Sequence, residues 1–172
     1  MSLAITIKTK PTTRRTSISF NKLSSVEIPL VLLIEEQNSD YPWSQLQFTT
    51  SIENSNNLCY CLSLDGKTIG YLIAMLAGDT ADILNIGIDS DFKRQGHSTA
   101  LLNHLIEELS KRDIGEILLE VRAGNKSAIQ FYKRQGFEEI SVRKNYYTKN
   151  SKNQSHREDG IIMRIKILSI KN

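Results

Sequence analysis

The sequence predicts a single α/β domain, with one mixed sheet of about six to seven strands and about four helices laid on its faces. Three observations carry that prediction. Apolar residues recur with period two in some stretches and with helical spacing in others, in the order strand, two helices, three strands, helix, strand, helix, two strands. The apolar run ending in Ile86-Gly87-Ile88 passes through a basic, glycine-marked turn straight into a helical stretch. Such a turn at the carboxyl end of a strand is where open α/β sheets hold ligands. Finally, 172 residues, 40% apolar and 24% charged, suffice to bury one core without a second domain.

Residues 1–15 read as a flexible tail, 16–168 as the domain and 169–172 as a second short tail. The first tail carries Lys8, Lys10, Arg14 and Arg15, with no acid before Glu27. That bias is shared with transit peptides, but a clear amphipathic helix is lacking, and Met1-Ser2-Leu3 is compatible with a vector scar. Thr16 to Phe20 alternates as a first strand. Ser24 or Ser25 can cap a helix running through Val26, Leu30, Leu33 and Ile34, with Pro29 early enough to be tolerated. Tyr41-Pro42-Trp43 breaks the chain, and Ser44 caps a second short helix holding Leu46 and Phe48.

Strands at Leu58–Leu64 and Thr68–Ala77 join through Asp65-Gly66, a hairpin signal, and Ala81–Ile88 follows. The helix opened by Gln95 sets Leu101, Leu102, Leu105, Ile106 and Leu109 on one stripe. Its wet side offers Glu107 to Lys111 and Glu108 to Arg112, and it ends near Asp113. Glu116–Val121 is a strand, Asn125–Gln135 a helix closed by Gly136, and Phe137–Val142 opens another strand. The polar stretch Asn150–Asp159 reads as mobile, ahead of a last strand over Ile161–Ile167.

A net charge of +3 is too small to argue for direct nucleic-acid binding. Lys144, Lys149, Lys152 and Arg157 accordingly read as a solvated face, at most weakly attracted to a ribosome surface. No apolar run approaches the roughly 20 residues of a membrane helix, so no membrane partner is expected. Cys59 and Cys61 share one face of a strand and make no disulfide framework. Together with His97, His104 and His156 they lack metal-ligand spacing, and the thiols fit a reducing cytoplasm.

The turn after Ile88 has a chemistry of its own. Around Arg94, Gln95 and Gly96, unpaired amides and the positive end of a helix dipole would converge on a pyrophosphate, with Gly96 sparing a Cβ. Leu119-Glu120-Val121-Arg122, Asn125, Phe131-Tyr132 and Gly136-Phe137 follow at close range. Tyr41-Pro42-Trp43-Ser44 lies upstream, and Arg143-Lys144-Asn145-Tyr146-Tyr147 and Arg157-Glu158-Asp159-Gly160-Ile161-Ile162-Met163 lie downstream. With these motifs in this order, the chain resembles the GNAT acetyltransferase superfamily and, within it, the RimI-type ribosomal-protein alanine N-acetyltransferases.

The resemblance implies a GNAT fold, acetyl-CoA as co-substrate, no metal, and a peptide N-terminus of a ribosomal protein as acceptor. Ile86, Gly87 and Ile88 would pair with pantetheine, the turn through Arg94, Gln95, Gly96, His97, Ser98 and Thr99 would hold the pyrophosphate, and Asn125 would touch the cofactor farther along. Lys93 stands where the superfamily usually has Gln or Arg, and Ser98 where it has Gly or Ala.

By the same resemblance Glu120 is the general base and Tyr132 the acid that protonates the leaving thiolate, in direct transfer within a ternary complex. The chemistry needs both. An α-amine with a pKa of about 8 is mostly protonated at neutral pH, and a phenol with a pKa of about 10 still carries its proton there. Glu120 can equally pair with Arg122, which shares its face, and Tyr132 can equally be a core aromatic. Tyr41, Trp43, Tyr146 and Tyr147 could line the acceptor groove, although Trp43 fits the core as well and only one of the adjacent tyrosines can face inward. Acetylation of lysine side chains or small amines, and a non-catalytic acyl-CoA-binding module, remain compatible with the fold.

Overall fold

Alternation and capping resolve, in a computed structural model that describes residues 16–151 and 154–167, into seven strands and four helices. In chain order these are β1 (Ile18–Lys22), α1 (Ile28–Asn38), α2 (Gln45–Glu53), β2 (Asn57–Leu64), β3 (Lys67–Ala77) and β4 (Thr80–Ile88). They continue as α3 (His97–Ser110), β5 (Glu116–Arg122), α4 (Lys126–Arg134), β6 (Glu138–Ser151) and β7 (Gln154–Lys166). The strands form one sheet in the order β1-β2-β3-β4-β5-β7-β6. Only β4 and β5 run parallel, and α3 supplies the crossover that a parallel pair requires. The predicted element order and mixed sheet are those observed. Residues 1–15, expected as a tail, and 168–172 lie outside the described residues.

Alternation divides the core between the two faces of the sheet. Leu72, Ala74 and Leu62 meet Leu101, Leu102, Leu105 and Leu109 of α3 on one face. On the other, Cys59, Cys61, Tyr71 and Ile73 meet Val31 and Ile34 of α1 and Phe48 of α2. Both cysteines thus share a face, as their spacing requires, and burial pushes the Cys59 thiol up to about 11. At the β2–β3 hairpin Asp65 and Gly66 both take positive φ, as a two-residue turn of this hand demands.

Four local expectations are corrected. The first helix begins at Ile28, past Val26, and it buries Ile28, Val31, Ile34 and Glu35 while Leu30 and Leu33 are exposed. Apolar residues fill every position from Ile28 to Ile34, so that stretch alone does not fix which face turns inward. Nor do Ser24 and Ser25 cap α1. Glu27 holds the cap position, and its carboxylate accepts the Ser24 N–H and hydroxyl at 2.9 and 2.6 Å. Ser44 does cap α2, in a reciprocal capping box with Gln47, but Leu46 is exposed. On α3, Lys111 pairs with Glu108 rather than Glu107, and Glu108 also meets Arg112.

The fourth correction matters most for the site. The polar stretch expected to be mobile is strand: Asn150 and Ser151 end β6, and Gln154 to Asp159 open β7. The two strands extend past the end of β5, whose pairing stops at Arg122 opposite Gly160, and form an arm hydrogen-bonded to itself. Neither face of such an arm needs an apolar row, so it leaves no alternation to read. Among the described residues no helix is long and apolar enough to cross a membrane.

Candidate active site

The site begins where the parallel pair comes apart. β4 and β5 are in register only from Thr80–Glu116 to Ile83–Leu119, and Leu84 is an extra residue in the β3–β4 ladder. Such a bulge bends its strand, and here the strands part beyond it. A cleft of about 1050 Å³ opens between them, walled by Ile86, Gly87 and Ile88 on one side and by Glu120 and Arg122 on the other. The backbone of Ile86–Ile88, paired to β3 on its far side, presents a free strand edge to this cleft. Gly87 is dictated from beneath, because a Cβ there would stand 2.7 Å from Cε1 of Tyr71.

At one end of the cleft the turn leads into α3. Arg94 and Gly96 take φ of +60° and +88°, and Gly96 occupies the cap position. A Cβ on Gly96 would meet nothing within 4 Å, so the positive φ is what its backbone demands of the residue. The first helical bond runs from Ala100 N–H to Gly96 C=O, which leaves the amides of His97, Ser98 and Thr99 with no carbonyl inside the helix. Lys93, Arg94, Ser98 and Thr99 line the cleft here. Gln95 does not, and its side chain turns back to the Asp91 carbonyl at 3.1 Å. His97 lies on the wall but is buried, its Nε2 without a partner. Asn125 lines the cleft and caps α4, its Oδ1 accepting Ala128 N–H at 3.1 Å.

The other end gathers carboxylates, guanidiniums and phenols. Glu120, near the end of β5, lies 3.0 Å from Nη1 of Arg143 and accepts a hydrogen bond from Tyr147. Burial and that carboxylate hold the Tyr147 phenol above its ordinary range. Gly160 makes the room, since a Cβ there would stand 3.1 Å from Glu120 Oε1 and 3.2 Å from the Tyr147 ring. Arg122 does not pair with Glu120 as its spacing allowed. It lies between the rings of Tyr41 and Tyr147, at 4.1 and 4.0 Å, and reaches Glu158 at 3.5 Å. Glu158 sits on β7, which pairs directly with β5, whereas Arg143 sits one strand farther, on β6, and its partner across the ladder, Gly160, has no side chain.

Tyr132 is both things at once: 6% exposed among Phe131 and Phe137, and part of the cleft wall. Burial raises its phenol, which therefore keeps its proton at neutral pH. Trp43 likewise lines the cleft while packing edge-on against Phe48. Tyr41 and Tyr147 line it too. Tyr146 does not: it is 49% exposed, with Arg143 over its ring. Glu35 lines this cleft and Tyr71 lies beneath Gly87, and no local pattern in the sequence singles out either one. Among the described residues no group of His, Cys, Asp or Glu is placed to hold a metal.

A long ligand with phosphates at one end and a carbonyl at the other fits this donor set. Free amides stand at the turn, a free strand edge runs along the middle, and a carboxylate with a phenol waits at the far end. The profile of the Acetyltransferase (GNAT) family matches residues 29–137. The chain belongs to that family. It is an acetyl-CoA-dependent N-acetyltransferase, whose co-substrate supplies the acetyl group as a thioester. The chain is 37% identical over 149 residues to the [ribosomal protein bS18]-alanine N-acetyltransferase of Escherichia coli K12, covering 87% of this chain and 97% of that one. The crystal structure of the ribosomal-protein-S18-alanine N-acetyltransferase from Escherichia coli superposes with a TM-score of 0.80 at 36% identity, over 91% of this chain and 97% of that one. Arabidopsis thaliana NAA60, solved in complex with acetyl-CoA, shares the fold at 18% identity and a TM-score of 0.74, over 88% and 99% of the two chains.

Proposed function

We propose that this GNAT enzyme acetylates the α-amino group of an N-terminal alanine on a ribosomal protein, in the cytoplasm. The observation that carries this reading is the 37% identity to a relative named for that reaction, over 97% of the relative's length. The geometry supports it. The cleft wall that would receive a chain terminus is built from Tyr41, Trp43 and Tyr147, flat amphipathic side chains suited to an extended peptide.

Each residue then has a task. The amides of His97, Ser98 and Thr99, with Lys93 and Arg94 beside them, would hold the pyrophosphate of acetyl-CoA, and the edge of Ile86–Ile88 its pantetheine. Glu120 is the base that takes the acceptor's proton, directly or through one water. Tyr132, protonated because it is buried, donates to the sulfur as the thioester bond breaks. Both acceptor and donor occupy one cleft, so transfer is direct within a ternary complex.

Intact-mass measurement of peptides beginning with Ala, Ser and Met, incubated with enzyme and acetyl-CoA, tests the reading. A gain of one acetyl group at the α-amine, fastest for Ala, is expected. Acetylation of lysine side chains or small amines alone would reassign the acceptor, and no acetylation of any amine would leave only a binding module.

A further inference from the structure

The charged groups at the acceptor end balance except for one. Arg143 is matched by Glu120 at 3.0 Å, and Arg122 by Glu158 at 3.5 Å. Glu35 of α1 also lies on the cleft wall, 3% exposed, and among the described residues no cation is in ion-pair contact with it. Its Oε1 accepts the Trp43 N–H at 2.9 Å, and its Oε2 accepts the Tyr71 hydroxyl, which also stands 3.2 Å from Asn85 Oδ1. Both donors are neutral, so neither brings a positive charge to the carboxylate. Burial first, then Glu35 beside it, holds the Tyr71 phenol far above its ordinary range.

An uncompensated carboxylate in a buried wall projects its field farther than one in water. The missing counter-charge is what an acceptor brings, since an α-amine is mostly ammonium at pH 7. Resting on the reading of the chain as an N-terminal acetyltransferase, we propose that Glu35 is an acceptor-selecting positioning residue. Its charge, fixed by Trp43 N–H and the Tyr71 hydroxyl, draws the protonated α-amine into the cleft before Glu120 deprotonates it. The same two hydrogen bonds tie the Tyr41–Ser44 loop to β3, and through the Tyr71 ring to Gly87, so the charge is held in register with the cofactor strand.

The test uses enzyme loaded with CoA, which binds without transferring anything. A hexapeptide beginning with alanine, and the same peptide with hydrogen in place of its α-amino group, are titrated into wild type, Glu35→Gln and Glu35→Asp at pH 7. Wild type should prefer the amine at least about tenfold, or about 1.4 kcal/mol. Glu35→Gln, still able to accept from Trp43, should lose most of that preference while keeping its CoA affinity, and Glu35→Asp should restore part of it. A Glu35→Gln preference equal to wild type overturns the inference, and so does a wild type that binds both peptides equally, which needs no variant. The mass assay keeps the two readings apart. No transfer to any peptide by wild type sinks the acetyltransferase reading, whereas transfer with an amine preference indifferent to Glu35 sinks this inference alone.

Discussion

Gly87→Ala puts the fit between the cofactor strand and the core beneath it to a direct test. The added Cβ would stand 2.7 Å from Cε1 and 3.0 Å from Cζ and Oη of Tyr71. That ring has no room to retreat, being fully buried, edge-on to Phe48 at 5.3 Å, and held at its hydroxyl by Glu35 and Asn85. Overpacking of this kind costs about 1–3 kcal/mol. Driving the hydroxyl off a buried carboxylate adds about 1–3 kcal/mol for the partner left short of a donor. For a domain of this size each kcal/mol lowers Tm by about 2–4 °C, so thermal unfolding should shift down by about 4–24 °C. Tyr71→Leu removes the three atoms that collide. In a double-mutant cycle Gly87→Ala should therefore cost at least about 1 kcal/mol less in the Tyr71→Leu background. A Gly87→Ala protein as stable as wild type, or a cost that Tyr71→Leu leaves unchanged, would refute the argument.

Other outcomes follow from the same geometry. Glu120→Gln and Tyr132→Phe should each lower kcat by about 10²–10⁴ while acetyl-CoA affinity by calorimetry changes little, and loss of binding in both would contradict their assigned roles. Ser44→Ala should cost about 1 kcal/mol in thermal unfolding by opening the capping box, and an unchanged Tm would show that Gln47 alone holds the end of α2. Stability should also fall with pH above about 9. An unfolded thiol ionises there, whereas folded Cys59 keeps its proton until about 11, so the unfolded state binds fewer protons. The slope contributed is at most about 1.4 kcal/mol per pH unit, and urea titrations of Cys59→Ala between pH 8 and 11 should show a shallower decline than wild type.

What could be read from the sequence was whatever local chemistry dictates. Ser44, Asp65-Gly66, and the stripe from Leu101 to Leu109 each mark an element in a few neighbouring residues, and each formed as expected. The site was legible on the same terms wherever one segment builds it. The turn from Lys93 to Thr99 was read from its own pattern, Glu120 and Tyr132 from the resemblance to the family, and all but Gln95 stand on the cleft wall.

The rest is decided by partners distant in the chain. Arg122 shares a face with Glu120, and local spacing made them a pair. Yet β6 brings Arg143 to Glu120, and β7 brings Glu158 to Arg122. β7 reaches the site by pairing with β5, and β6 bulges between Arg143 and Tyr147, where Asn145 takes a φ of +54° and its N–H is held by Asp159 at 2.8 Å. The bulge also settles which tyrosine enters. Tyr147, opposite Glu158, turns its ring to Arg122 and its hydroxyl to Glu120, and Tyr146 is left outside beneath Arg143. The family profile ends at residue 137, before any of this arm. The turn and strand edge proposed to hold coenzyme A therefore lie inside the matched span, while Arg143, Tyr147 and Glu158 lie beyond it. Acceptor choice can then vary among enzymes that bind the same co-substrate, because part of the wall that would receive the acceptor is carried on an arm whose own folding needs only its backbone hydrogen bonds, and completes what Glu35, Tyr41 and Trp43 begin.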